Sequence, residues 1–157
     1  MSYTPGRGLR LVPPDDWKTK PKVFIVHGHD ELRYRYQLAH FLNQKGLESI
    51  ILHEQPSGGR TIIEKLEKSS ADVGYAFILI TPDDHCNGQS LRARQNVILE
   101  LGFFWGILGR GRVCCLTKGE VELPSDMHGI VYIRFNQNIE EVYYEIENEL
   151  KNAGYSV

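Results

Sequence analysis

Apolar runs and helical repeats alternate along the chain from residue 22 onward. The mainly apolar runs predict strands, most of them buried on both faces, at 23–26, 49–52, 75–80, 113–116 and 130–135. Apolar residues at helical spacing predict helices over 31–44, 61–69, 95–108 and 139–152. Gly46 is expected to end the first helix.

Each predicted helix has an apolar face to turn toward a sheet. The expected inward residues are Leu32, Tyr36, Ala39 and Leu42 in the first helix, Ile62, Ile63 and Leu66 in the second, Val97, Leu101, Phe104 and Leu108 in the third, and Ile139, Val142, Ile146 and Leu150 in the last.

The alternation of strands and helices predicts an α/β fold, with a five-stranded parallel sheet covered by helices on both faces. Right-handed crossovers favour the flavodoxin-like strand order 2-1-3-4-5. Ligands of such sheets bind beyond the carboxyl ends of the strands, where the winding direction reverses. That point lies between strands 1 and 3, so the segments 27–30 and 81–84 that leave these strands are candidate site segments.

Composition narrows the class of protein. The formal net charge of -2 excludes a strongly basic chain held to nucleic acid by phosphate attraction. No apolar run approaches the roughly 18–20 residues of a membrane helix, and the N-terminus lacks the features of a signal peptide. Cys86, Cys114 and Cys115 form no disulfide or zinc pattern, which favours reduced thiols in the cytoplasm. Residues 1–21 carry four of the seven prolines and are expected to be a tail or linker before a domain at 22–157.

The segment His27-Gly28-His29-Asp30 directly follows the first strand. It is either a polar turn in which Asp30 caps the next helix, or a loop that contacts a nucleotide through the backbone at Gly28. A metal site is less favoured, because the dinuclear HxHxDH spacing is not matched. Thr81 and Asp83 leave the third strand on the same edge of the sheet.

A glycine-bearing loop, residues 56–61, lies between the second strand and the second helix. Its backbone N–H groups and Arg60 are candidates for phosphate binding, with a plain loop as the alternative. It is not a P-loop, and no GxGxxG fingerprint follows any strand.

The third helix carries the candidate catalytic group. Glu100 lies roughly 70° from the centre of the apolar stripe, at the edge of the buried face, and Asn96 is one turn earlier. A half-buried carboxylate beneath a ligand crevice is suited to stabilising positive charge or moving a proton. The alternative is a boundary residue paired with Arg92 or Arg94.

Four segments in order, KVFIVHGHD, LHEQPSGGRTIIEKLE, AFILITPDD and RARQNVILELGFFWGILGR, resemble the bacterial TIR-like nucleotide-binding family of cyclic-oligonucleotide and Pycsar anti-phage effectors. The resemblance covers 22–157 and implies the TIR fold, with NAD+ as substrate and no cofactor. It implies cleavage of the nicotinamide glycosidic bond, with Glu100 at the catalytic position and Asn96 where many TIR domains have Trp. It also implies self-association through TIR–TIR contacts and a sensor domain or partner that responds to a cyclic nucleotide.

On this resemblance, the adenosine and diphosphate of NAD+ are expected along residues 27–30 and near Arg60 or Arg94. Three rivals stay open: a nucleoside N-glycosidase or deoxyribosyltransferase, a non-catalytic TIR interaction module, and a sensor that binds a nucleotide without cleaving it. No direct binding to nucleic acid or membrane is expected.

Overall fold

A computed structural model describes residues 21–28, 32–54, 58–82, 94–127 and 129–157. Five strands form one sheet: β1 (Lys22–Val26), β2 (Glu48–Ile51), β3 (Val73–Ile80), β4 (Val113–Lys118) and β5 (Val131–Phe135). All neighbouring strands are parallel and their order is β2-β1-β3-β4-β5, which confirms the predicted topology. The proposed tail lies outside the described residues.

Four α-helices cover the two faces of the sheet: α1 (Leu32–Gln44), α2 (Ile62–Ser70), α3 (Gln95–Leu108) and α4 (Tyr143–Asn152). A 3-10 turn over Ile139–Val142 precedes α4 where the sequence predicts one longer helix. In the described part of the chain, no helix combines the length and the apolar character needed to cross a bilayer.

Two apolar cores lie on opposite sides of the sheet, because consecutive strand residues point to opposite faces. One core joins the sheet to α1 and α4 through residues such as Leu38, Ile146 and Leu150. The other joins it to α2 and α3 through Leu66, Phe104 and their neighbours. Cys114 and Cys115 are consecutive in β4 and therefore enter different cores as buried free thiols.

The predicted inward face of α1 is only partly correct, since Leu42 is buried and Ala39 packs against the core as expected. Leu32 and Tyr36 are exposed by 51% and 56%, whereas Leu38, Phe41 and Leu42 are buried. The reason is that two overlapping apolar stripes run along this helix, and only one of them meets the sheet. The stripe that packs against the sheet is formed by Leu38, Phe41 and Leu42. Arg35 lies on the same stripe one turn earlier and is therefore buried.

The predicted inward face of α2 is also only partly correct. Leu66 is 2% exposed, but Ile62 is 71% and Ile63 is 49% exposed. Burial begins at the second turn of this short helix, so its first turn leaves two large apolar side chains in solvent. The apolar faces predicted for α3 and for the last helical segment are buried as expected.

Candidate functional site

The candidate site lies at the carboxyl edge of the sheet, where β1 and β3 end side by side. Val26 is aligned with Ile78, so β3 continues beyond the end of β1 as far as Ile80. The chain leaves β1 at His27 and leaves β3 at Thr81, which is partly buried. The crossover after β1 leads to β2 and that after β3 leads to β4, which is the reversal of winding at which such folds bind ligands.

His27 is held by hydrogen bonds at both ring nitrogens. Nδ1 lies 2.6 Å from the carbonyl oxygen of Gly28, and Nε2 lies 3.2 Å from Nη1 of Arg35. A guanidinium only donates, so Nε2 accepts, and Nδ1 carries the proton that it donates to the Gly28 oxygen. His27 therefore connects the end of β1 to α1.

Arg35 is a site residue that the sequence analysis missed. Its side chain is only 6% exposed, and its guanidinium also donates from Nη2 to the Tyr36 hydroxyl at 3.0 Å. A signal was present in the sequence, since Arg35 lies three residues before Leu38 on the stripe formed by Leu38, Phe41 and Leu42. The inward face predicted for this helix did not include Arg35.

Glu100 lies on the opposite side of the sheet edge, on α3. Because α3 begins at the carboxyl edge at Gln95, a rise of 1.5 Å per residue places Glu100 about 8 Å below the start of the helix. Its side chain is half-buried at the border of the stripe formed by Val97, Leu101 and Phe104, as predicted.

The electrostatic environment of Glu100 is apolar. Burial raises the pKa of the Glu100 carboxyl from its usual range to about 7. Among the described residues, no hydrogen bond or ion pair is formed by this carboxylate, so the expected alternative of a pair with Arg94 is not found. Arg92 lies outside the described residues.

Asn96 lies in the first turn of α3, and Arg94 is the residue directly before the helix. Asn96 is exposed one turn above Glu100. Arg94 is the N-cap residue, with an extended backbone and no capping hydrogen bond from its side chain. It is partly buried and has a contact of its own, so it is not a free cation at this edge.

Arg60 lies before α2, on an exposed loop. Its guanidinium lies close to Gly58, where an added Cβ would be 2.7 Å from Nη1. The helix that follows is fixed by a capping box, in which Thr61 accepts from the Glu64 backbone and the Glu64 carboxylate accepts from the Thr61 backbone. The hydrogen bonds that the Glu64 carboxylate accepts from the backbone N–H and the hydroxyl of Thr61 lower the pKa of Glu64.

Three of the predicted contact residues, His29, Asp30 and Asp83, lie outside the described residues, and their roles stay predictions. The described groups form two clusters on either side of the sheet edge. His27 and Arg35 belong to the α1 side, and Glu100 belongs to the α3 side. A ligand that contacts both clusters must cross the edge between β1 and β3.

The fold, a five-stranded parallel sheet between two helical layers with an acidic residue on the third helix, is that of a TIR domain. Residues 22–137 match the family described as the TIR domain of CAP12/Pycsar effector proteins. The chain belongs to this family, whose members act in anti-phage defence.

Three named proteins from different organisms are similar to this chain. The Escherichia coli K12 protein YuaY is 50% identical over 122 residues, which cover 74% of this chain and 40% of YuaY. Protein tirC of Dictyostelium discoideum is 34% identical over 149 residues, covering 85% of this chain and 72% of tirC. CD-NTase-associated protein 12 of Niabella drilacis is 29% identical over 96 residues, covering 59% of this chain and 31% of that protein. The matched regions thus span less than half of YuaY and of the Niabella protein.

Proposed function

We propose that this domain is an NAD+ glycohydrolase that cleaves the bond between nicotinamide and ribose, giving nicotinamide and ADP-ribose or a cyclic form of it. The observation that supports the proposal most is the state of Glu100. It is a half-buried carboxylate with a raised pKa and no partner among the described residues. Membership of an effector family that carries TIR domains supports the same reaction class.

The chemistry follows from the charge that develops during cleavage. The C1′–N bond breaks, its electron pair stays on the nicotinamide nitrogen, and the ribose becomes an oxocarbenium-like cation. An ionised Glu100 would stabilise that cation, since an unpaired carboxylate in an apolar setting interacts strongly with a nearby positive charge. A water molecule then attacks C1′ and releases its proton, or an internal nucleophile of the ADP-ribose closes a ring.

The substrate would cross the sheet edge between the two clusters. The ribose that bears nicotinamide is proposed to lie beside Glu100, near Asn96 at the first turn of α3. The adenosine and diphosphate are proposed to lie along the segment that begins at His27 and Gly28. In this arrangement catalysis depends on positioning and on charge stabilisation.

We propose that assembly activates the domain, in the cytoplasm and under control of a sensor domain or partner that detects a cyclic nucleotide. The side of the molecule formed by α2 and α3 exposes three large apolar residues, Ile62, Ile63 and Leu99. Exposed apolar side chains of this size favour contact with another protein surface. The TIR–TIR contacts of the proposal would involve this side.

The decisive experiment is nicotinamide release from NAD+ by concentrated protein with a crowding agent, followed by chromatography. Glu100→Gln should keep the fold and reduce turnover by at least about 100-fold, because it removes the charge that stabilises the cation. Glu145→Gln, which neutralises an exposed acid of α4, is the matched control and should leave turnover unchanged.

The same assay distinguishes the proposed reaction from the three alternative functions. Release of nicotinamide by Glu100→Gln at the wild-type rate would show the mechanism to be wrong. Cleavage of deoxynucleosides in place of NAD+ would indicate a nucleoside N-glycosidase or deoxyribosyltransferase. If assembled wild-type protein shows no turnover and does not bind an uncleavable NAD+ analogue, the interaction module is favoured. If it shows no turnover but binds the analogue in calorimetry, the nucleotide sensor is favoured.

A further inference from the structure

The connection between β4 and β5 covers the sheet differently from the other three crossovers. Those crossovers hold α1, α2 and α3, whereas the described residues of this one, 119–127 and 129–130, form a 3-10 turn over Ser125–Met127 and no α-helix. The connection packs on the α2 and α3 side of the sheet, where Met127 and Ile130 enter the apolar core. Between it and the two outer strands lies a cavity of about 450 Å³.

The walls of this cavity come from β4, β5 and the connection, and they consist of the described residues Thr117, Gly119, Val121, Leu123, Tyr132 and Arg134. Alternate residues of a strand share a face, so Thr117 points to the same side as Cys115, which belongs to the core beneath α3. The register pairs Cys115 with Tyr132 and Thr117 with Arg134. The cavity therefore lies on the α3 side at the outer border of the sheet, apart from the crevice between β1 and β3.

The size and the apolar walls of the cavity suit a small organic molecule. Its volume falls within the roughly 300–1,000 Å³ that is usual for ligand sites. Val121 and Leu123 form an aliphatic wall, and Tyr132, which is 39% exposed, forms an aromatic one. The Tyr132 hydroxyl donates to the Met127 carbonyl at 3.0 Å, which fixes the ring. A rigid aromatic surface of this kind favours stacking of a planar apolar group.

Two hydrogen-bond donors lie together beside the aromatic wall. Thr117 and Arg134 are paired on neighbouring strands roughly 4.8 Å apart, and Tyr132 is two positions along β5, roughly 6.6 Å away. Thr117 is buried and supplies a hydroxyl, and Arg134 is exposed and supplies a guanidinium. A carboxylate can accept from both groups. The spacing fits a molecule that carries its carboxylate on an aromatic ring.

Glu120 limits the charge that the cavity accepts. Nη1 of Arg134 lies 2.8 Å from a carboxylate oxygen of Glu120, and both side chains are exposed. An exposed ion pair contributes at most about 1 kcal/mol, so the guanidinium can turn others of its five N–H groups to a ligand. The Glu120 charge stays close and opposes a second negative charge on that ligand. A monoanion is therefore favoured over a phosphate dianion.

We infer that this cavity binds a small planar aromatic monocarboxylate, with the ring against Tyr132 and the carboxylate held by Thr117 and Arg134. The site is separate from the crevice proposed for NAD+. The inference goes beyond the glycohydrolase activity and does not depend on it.

The test is titration of the isotopically labelled 157-residue chain with 2-naphthoate, followed by NMR of the backbone amides. Two further probes separate the features of the ligand. 2-Naphthamide keeps both rings and lacks the charge, and cyclohexanecarboxylate keeps the charge and lacks the aromatic ring. 2-Naphthoate should shift amides within 117–123 and 131–134 and bind at least about fivefold more tightly than either of the others.

Variants with matched controls identify the groups that bind. Arg134→Met should weaken 2-naphthoate about fivefold and leave 2-naphthamide unchanged, whereas Arg33→Met, which alters an exposed arginine of α1 on the other side of the sheet, should change neither. Tyr132→Leu should weaken both aromatic probes about fivefold, and Tyr144→Leu, at a 75% exposed tyrosine of α4, should weaken neither. Thr117→Val keeps the shape of the side chain without its hydroxyl and should weaken 2-naphthoate at least about threefold.

Three results would overturn the inference. They are the lack of shifts at 117–123 and 131–134, strongest shifts at β1 and α1 instead, and equal affinity of Arg134→Met and Arg33→Met for 2-naphthoate. Shifts at these amides that follow protein concentration in place of ligand would also overturn it, since the cavity would then be a contact between copies of the chain. Should Tyr132→Leu not fold, Arg134→Met decides, because it alters an exposed side chain.

Discussion

Glu100 and Arg35 are opposite charges in similar situations. Each is a charged side chain at the carboxyl edge of the sheet that is removed from much of the solvent, and neither forms an ion pair among the described residues. They lie on different sides of the sheet and do not neutralise each other.

The raised pKa of Glu100 predicts a pH-dependent stability. The pKa is about 7 in the folded state and in the ordinary range when unfolded, so the folded state binds this proton more tightly. The corresponding stability is present below about pH 4.5 and is lost as the pH rises to about 7. Glu100→Gln should therefore unfold like the wild type at pH 4 and be more stable than the wild type at pH 8.

Denaturant unfolding at several pH values between 4 and 8 measures this effect, with Glu145→Gln as the control for removal of a surface charge. A difference between Glu100→Gln and wild type that does not change with pH would contradict the proposed environment of the carboxylate. The same ionisation should appear in catalysis, where kcat/KM is expected to rise with pH up to about 7 and then level off.

At the scale of the element, the end of α1 is fixed by its backbone. Gly46 adopts a positive φ of 79°, the Leu47 N–H donates to the Leu42 carbonyl at 3.0 Å, and the Gly46 N–H donates to the Asn43 carbonyl at 3.0 Å. These are the two hydrogen bonds of a Schellman motif. The motif turns the chain directly into β2, so it sets where the second strand begins.

Two glycine substitutions test this account of the helix end. Gly46→Ala should lower the free energy of unfolding by about 1 kcal/mol, since an alanine resists the left-handed conformation although no atom would obstruct its Cβ. Gly106→Ala, on the exposed side of α3, should raise it by up to about 1 kcal/mol through helix propensity. Urea unfolding measures both, and equal effects of the two substitutions would contradict the role of Gly46.

At the scale of the whole molecule, Arg112 connects the centre of the sheet to the end of the last helix. It is 6% exposed, and it donates to the carbonyl of Gly74 in β3 at 2.8 Å and to that of Ala153 after α4 at 3.0 Å. These contacts join segments about forty positions apart in the chain. The segment after residue 137 is therefore an integral part of the folded unit.

Arg112→Met should destabilise the domain by about 3 kcal/mol, because two buried carbonyls lose their charged donor. The control is Arg134→Met, which removes an exposed arginine paired at 2.8 Å with the exposed Glu120. That change should cost no more than about 1 kcal/mol, as is usual for surface ion pairs. Thermal unfolding of the two variants side by side gives the comparison, and similar losses would refute the role assigned to Arg112.

The sequence by itself determined the order of elements, the parallel sheet and the place of Glu100 at the border of a buried stripe. These features leave local signals, because a strand covered on both faces must be apolar throughout, and because Val97, Leu101, Phe104 and Leu108 recur in α3 at helical spacing. These signals can be recognised without knowing which element packs against the strand or the helix.

Only the tertiary structure decided which face of α1 is buried, and with it the burial of Arg35. Two apolar stripes on that helix are compatible with the sequence, and the choice depends on how the helix lies on the sheet. The exposure of Ile62 and Ile63 has the same origin, since a short helix buries only the turns that have a surface beneath them. The raised pKa of Glu100 likewise depends on burial by the surrounding fold, which is not encoded in the local pattern.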